Sequence, residues 1–220
     1  MKVIKPSFEI LTPIDRASIC EQIERVARTC YKSEDKITST SAPKMVKGLI
    51  SRHHLAMIEH AHISVKFICD RGVSHEIVRH RIASYAQEST RYCNYSSGKH
   101  GNEITVIEPF FFKEGTPEYL AWYMACECAE KQYMELINMG RTPQEARSVL
   151  PNSLKTEIVV TMNLREWIHF FNLRAIGTTG APHPQMQEIA LPVLHAFADA
   201  LPEIFGEQRE VFLMSKEKEV

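Results

Sequence analysis

Apolar and polar positions recur along the chain with two different periods. Ile19, Ile23, Val26, Ala27 and Cys30 follow the three-to-four spacing of one helix face, and Asp15 stands where an N-cap belongs. A second helix is predicted from residue 43 to about 54, burying Met45, Val46, Leu49 and Ile50. Over residues 62–69 the period falls to two. Ile63, Val65, Phe67 and Cys69 share one face and His62, Ser64 and Lys66 the other, the pattern of a half-buried strand. Asp70-Arg71-Gly72 predicts a turn and Ser74 a cap, and Ile77, Val78 and Ile82 predict a short helix that carries the neighbouring basic residues.

Residues 85–101 are polar, include Gly98 and Gly101, and predict a loop before a short strand at 104–107. Thr116-Pro117-Glu118 combines a cap with proline at the first helical position, opening a long helix that Gly140 ends. Thr142-Pro143-Gln144-Glu145 is a capping box for a short helix through Leu150, which Pro151 stops. A strand over 154–161, a helix over 165–174 and a last helix over about 186–200 complete the pattern, with Gly177, Gly180, Pro182 and Pro184 between the last two. Long helices mixed with non-adjacent strands predict the α+β class: one domain over residues 1–220, with long helices packed on a small, mainly antiparallel sheet.

Composition narrows the partners. The 220 residues carry 26 Lys and Arg against 27 Asp and Glu, a net charge of −1. That balance creates no global field for nucleic acid or an anionic membrane, so neither is expected as a partner, and anion binding must come from a local cluster. No window reaches the roughly 18–20 apolar residues of a membrane span, and Pro6 and Glu9 interrupt the place where a signal peptide needs its apolar core. A cytoplasmic location is expected. The six cysteines form no CxxC pair, which predicts reduced thiols.

The chemistry-bearing patterns are few. Neither GxGxxG nor GxxxxGK[ST] occurs, so a nucleotide must be held by side chains. His75-Glu76 with His80 is not a zincin motif, because its histidines lie five apart rather than four. His60 and His62 share a strand face, but no Cys or carboxylate cluster completes a metal site, and no metal is expected. The informative segment runs from Arg79 to Tyr92. Arg79, Arg81 and Arg91 offer planar, permanently charged forks suited to phosphate, and His80 between two of them should resist protonation. On chemistry alone, this segment reads equally as a solvated basic face or as a phosphate- or RNA-binding one. In the RNA reading, Tyr85 and Tyr92 would stack on bases.

Arg79-His80-Arg81 followed after seven residues by Ser89 resembles the RHR-x7-S signature of the flavin-dependent thymidylate synthases. The resemblance extends to Ser89-Thr90-Arg91-Tyr92, to the upstream stretch from His54 to His60, and to Ala146-Arg147-Ser148-Val149-Leu150-Pro151. Asn163-Leu164-Arg165, Asn172-Leu173-Arg174 and His183 then follow in the family's order. It implies reductive methylation of dUMP to dTMP. Methylenetetrahydrofolate would give the carbon and leave as tetrahydrofolate, and NADPH would supply reducing equivalents through bound FAD.

By the same resemblance, Arg79, His80, Arg81, Gln87, Asn163, Leu164, Arg165 and His169 would contact FAD. Glu76, Arg79, Gln87, Glu88, Ser89, Thr90, Arg91, Arg147 and Arg174 would contact the nucleotide. Arg174, Ser89 and His54 would serve the reaction, with Arg174 stabilising negative charge as it builds on the uracil ring. Cys93 lacks the motif of a covalent nucleophile. Ala56, Glu76 and Ala86 depart from the residues usual in the family, and the stretch from Ile176 to Pro182 is longer than in many members. The family implies a homotetramer with sites at subunit interfaces.

Overall fold

The computed structural model describes residues 1–98 and 101–217, with side chains to residue 215. Lys99 and His100, inside the predicted loop, lie outside the described residues. The elements in chain order are β1 (Lys2–Ile4), β2 (Ser7–Ile10), α1 (Arg16–Thr29), α2 (Ser41–Ser51), β3 (His62–Asp70), α3 (Arg71–Ile77), β4 (Ala83–Gln87) and β5 (Thr105–Ile107). Then come α4 (Pro117–Asn138), α5 (Pro143–Ala146), β6 (Lys155–Asn163), α6 (Leu164–Phe171), a π-helical segment (Asn172–Ile176), α7 (Pro184–Ala200) and α8 (Pro202–Glu217).

Helix starts follow their capping chemistry. The Asp15 carboxylate accepts from the Ala17 and Ser18 N–H groups, and Thr116 accepts from Tyr119 N–H. Thr142 and Glu145 close the predicted capping box. Two junctions have no loop. Asp70, the last residue of β3, accepts from Val73 N–H and caps α3, while Asn163, the last residue of β6, accepts from Glu166 N–H and caps α6.

The expected fold class holds: helices with a small antiparallel sheet. Its four strands lie in the order β2-β3-β6-β4. Beside it, β1 pairs with β5 in a parallel two-stranded ladder, Lys2 opposite Thr105 and Ile4 opposite Ile107. The chain packs as two compact units. The first comprises Met1–Phe8, Lys66–Arg79 and Tyr85–Val159, and the second Glu9–Val65, His80–Ser84 and Val160–Val220. The core of the first unit gathers Tyr95, Ile104, Val106, Cys126, Tyr133, Ala146 and Leu154. The second is centred on Trp167, whose ring packs on Phe170, Phe171 and Phe197 and whose indole N–H donates to Ile63 O at 3.1 Å. Such aromatic pairs contribute about 0.5–1.5 kcal/mol each beyond the area they bury. All six cysteines are free thiols.

Several expectations are corrected. The helix predicted to carry the basic residues ends at Ile77, so Arg79, His80 and Arg81 lie on the connection to β4. Val78 and Ile82 are exposed and cannot supply the buried face that a longer helix would need. The predicted 85–101 loop opens within a strand, whose ladder continues as Glu88 N–H donates to Glu157 O. β1, β2 and α8 were not predicted. The helix expected over 165–174 changes pitch after Phe171, which places Arg174 on the π-helical segment.

That segment is held by side chains. Gln187 donates to Ala175 O at 2.8 Å, and Gln208 donates to Ile168 O and to the Asn172 amide oxygen. Gly177 ends it at φ +82°, where an added Cβ would meet Gly180 O and Pro182 Cδ at 2.9 Å. Gly177→Ala therefore combines a left-handed backbone with a steric clash. A loss of about 2 kcal/mol or more is expected, read as a melting temperature lowered by about 4–8 °C in thermal denaturation. An unchanged melting temperature would show that the turn relaxes at no cost.

Candidate active site

In the first unit, the end of β4 and the turn after it carry five of the expected residues. Gln87 donates its amide N–H groups to the hydroxyls of Ser74 at 2.9 Å and Thr156 at 3.2 Å. The Glu88 carboxylate accepts from Lys155 Nζ at 2.9 Å and from the Tyr95 hydroxyl at 3.3 Å. Its backbone N–H is spent on Glu157 O, so Glu88 braces the segment from beneath. Burial pushes the Tyr95 hydroxyl far above its ordinary pKa, with the Glu88 charge adding to the shift, so Tyr95 stays a donor.

Ser89 shapes the turn. Its hydroxyl accepts from Arg91 N–H at 3.3 Å, and its carbonyl accepts from the N–H groups of Tyr92 and Cys93. Thr90 is buried, and its hydroxyl accepts from Arg147 Nη1 at 3.2 Å. Arg91 donates to Gln144 at 3.4 Å and lies 5.4 Å from the Tyr92 ring centre. Arg91 and Arg147 are both exposed, so two permanent cations flank a compact turn of small polar residues, a surface suited to a phosphate dianion. Glu76 is half-buried in the last turn of α3 and Arg79 is exposed just beyond it.

The second unit holds the remaining expected residues, and of these Arg174 and His169 meet His80, which is 4% exposed. Arg174 Nε donates to His80 Nε2 at 3.2 Å, and the other ring nitrogen, Nδ1, lies 3.2 Å from Glu166 Oε1. A guanidinium can only donate, so Nε2 must carry the lone pair and Nδ1 the proton, which goes to the Glu166 carboxylate. The ring also packs on Phe170 and meets His169 edge-on at 5.5 Å. Burial, followed by the charges of Arg174 and His169, pushes the His80 pKa down to about 4, so the ring is neutral at physiological pH. Burial holds the Glu166 carboxyl above its ordinary range.

Asn163 spends its side-chain oxygen on capping α6, and Leu164 is buried. Of the expected site residues in this unit, Arg81, Arg165, His169 and His54 are exposed. Arg165 pairs with Glu59 at 2.6 Å. His54 follows α2, its backbone N–H donating to Leu49 O. Among the described residues, His80, Glu166 and His169 bring three potential ligand atoms within 4.8 Å of one another. A metal on His80 Nδ1 would force the ring proton onto Nε2, against the Arg174 N–H, where a metal-bound histidine needs an acceptor. The present geometry therefore favours hydrogen-bond donation over metal ligation.

Sequence reasoning missed Glu166, Gln187, Gln208, Lys155 and Tyr95. Asn163 and Glu166, three apart at a helix start, signal capping in the sequence, but nothing local to them points to His80. A pH test follows from the buried ring. Between pH 6.5 and about 4 the unfolded chain binds a proton that folded His80 refuses, so its presence lowers stability as pH falls, and above pH 6.5 the effect vanishes. Glu166, with its raised pKa, contributes with the opposite sign, so the comparison needs a variant. Relative to His80→Asn, the wild type should lose up to about 3 kcal/mol between pH 6.5 and 4 in urea unfolding. Parallel pH profiles would refute the buried neutral ring.

Comparison with known proteins now places the chain. The family model described as thymidylate synthase complementing protein matches residues 16–203. A flavin-dependent thymidylate synthase of Geobacter sulfurreducens is 31% identical over 81% of this chain and 77% of its own. That of Mycolicibacterium vanbaalenii is 31% identical over 87% and 80%, and that of Pyrococcus furiosus 36% identical over 65% and 58%. In structure, the chain resembles the UMP/dUMP methylase PolB of Streptomyces cacaoi bound with 5-Br dUMP. The TM-score is 0.73 over 94% of this chain and 96% of that one, and at 21% identity this likeness speaks for the fold. The family match over most of the chain and the relatives above 30% identity lead to one conclusion: this chain belongs to the flavin-dependent thymidylate synthase family.

Proposed function

We propose that the chain catalyses reductive methylation of dUMP to dTMP, with methylenetetrahydrofolate as carbon donor, NADPH as reductant and FAD as bound cofactor. The observation that carries the reading is Arg174 on its π-helical segment, a permanent cation whose Nε is fixed to a neutral histidine. Carbon 5 of uracil is a weak nucleophile, and its attack needs negative charge on the ring edge. A guanidinium whose plane is set in advance stabilises that charge as it develops, without reorganising. In this reading Ser89, Thr90, Arg91 and Arg147 bind the phosphate, Gln87 and Glu76 contact the nucleotide, and Glu88 holds the turn that presents them. Ser89 positions the substrate rather than attacking it, since its hydroxyl is engaged by the Arg91 N–H and not by a general base.

The donor chemistry fits FAD. Arg79, Arg81 and Arg165 are exposed guanidiniums suited to a pyrophosphate, and exposed His169 and the capping residue Asn163 offer further polar contact. When bound and reduced by NADPH, FAD would supply the two electrons of the methylation. The protein's part is to hold the nucleotide, fix Arg174 and keep His80 uncharged, while His54 serves the site from the end of α2.

We also propose that the protein works in the cytoplasm as a homotetramer whose sites are completed at subunit interfaces. Phe110, Phe111, Leu120 and Met124 of the first unit are exposed, which fits coverage by another copy. No helix among the described residues is long and apolar enough to cross a membrane.

The test is the visible spectrum of protein loaded with FAD and desalted, titrated with dUMP. Flavin should be retained, its spectrum should shift with dUMP, and the full mixture should yield dTMP. Arg174→Ala should keep flavin while losing about 100- to 1000-fold in turnover. Protein that retains no flavin and forms no dTMP would overturn the assignment, and RNA binding that weakens with salt would replace it.

A further inference from the structure

Glu166 is an expensive residue. It is 8% exposed on the first turn of α6, among Leu164, Trp167 and Phe170, where an apolar side chain would pack without desolvation cost. Its backbone N–H already goes to Asn163, so helix capping does not require its side chain. What the carboxylate does have is one acceptor oxygen against His80 Nδ1 at 3.2 Å, while the opposite ring nitrogen meets Arg174 Nε at 3.2 Å. Three side chains from two separate stretches of the chain, both within the second unit, thus form one line of donors and acceptors.

We propose that Glu166 is a positioning residue that acts through His80: by accepting the Nδ1 proton it fixes the tautomer whose Nε2 holds the Arg174 guanidinium. The assignment rests on the proposed role of Arg174 toward the uracil ring and adds to it a residue that never touches substrate. A neutral imidazole has two tautomers, and only one can accept from a guanidinium at Nε2. Without an acceptor at Nδ1, the ring can place its proton on Nε2, where it faces the Arg174 N–H donor to donor. The guanidinium must then turn away. Glu166 prevents this by offering an acceptor and no competing donor, which its carboxylate does when ionised.

Two readouts test the relay. The first needs no ligand: nitrogen NMR of the histidine-labelled full chain at pH 7 should show His80 protonated on Nδ1 and bare on Nε2. Arg174 Nε–H should exchange slowly in the wild type and in Glu166→Gln, whose amide oxygen still accepts, and quickly in Glu166→Leu. The second is dUMP affinity, read from the flavin spectrum of protein loaded with FAD. Glu166→Gln should stay within about threefold of wild type, while Glu166→Leu should weaken dUMP at least fivefold.

A ring proton on Nε2 in the wild type would overturn the proposal. So would Glu166→Leu within fivefold of wild type, or equal losses in both variants, which would mark a role in charge or folding alone. If Glu166→Leu does not fold, the wild-type tautomer and the Gln variant still decide. If wild-type protein shows no response to dUMP, the proposed function fails, whereas the tautomer and the Arg174 exchange rate judge the relay separately.

Discussion

A guanidinium that donates to a histidine nitrogen dictates the state of everything around it. Because Arg174 cannot accept, His80 must be neutral and must carry its proton on the far side, and that proton needs Glu166. The geometry and the electrostatics agree. Burial and the neighbouring cation both disfavour imidazolium, so the ring that the hydrogen bonds require is the one that the surroundings stabilise. The cost of burying a carboxylate and an imidazole is offset only while all three partners are present. The three therefore form one cooperative unit, more rigid than any of its members.

The backbone under Arg174 is shaped for the same purpose. A π-helical turn shifts the side chains that follow it relative to a regular helix and leaves carbonyls without their usual donors. Gln187 and Gln208, from α7 and α8, supply part of that donation, and Gly177 supplies a left-handed exit where any Cβ would collide with Gly180 O and Pro182. In the first unit the division of labour is similar. Lys155 and Tyr95 occupy the Glu88 carboxylate, while Ser89 folds the turn around its own backbone.

Much of this was legible in the chain. The caps at Asp15, Thr116 and Thr142, the period-two runs that became β3 and β6, and the ordered arginine motifs all rest on neighbours in sequence, which a local pattern reports faithfully. The failures share a different origin. β1 and β2 are too short to establish a period, and β1 exists by pairing with β5, a hundred residues away. α8 opens on Pro202, a correct start signal, but its charged surface hid its apolar face. The change of pitch after Phe171 and the Glu166–His80 contact depend on residues far along the chain, and no window around either position contains them.

The junction at Asn163 couples strand and helix without slack. Because the last residue of β6 is also the cap of α6, the strand's place in its ladder indexes the rotation of the helix that follows. A loop would absorb a one-residue insertion or deletion. Here the same change turns α6 by about 100° and sends Glu166 from the ring of His80 to another face of the helix. Strand registration thus acts as a dial for a hydrogen bond in the next element. Length variation between relatives should accordingly collect in the 177–183 segment and leave the run from Lys155 to Arg174 at constant length.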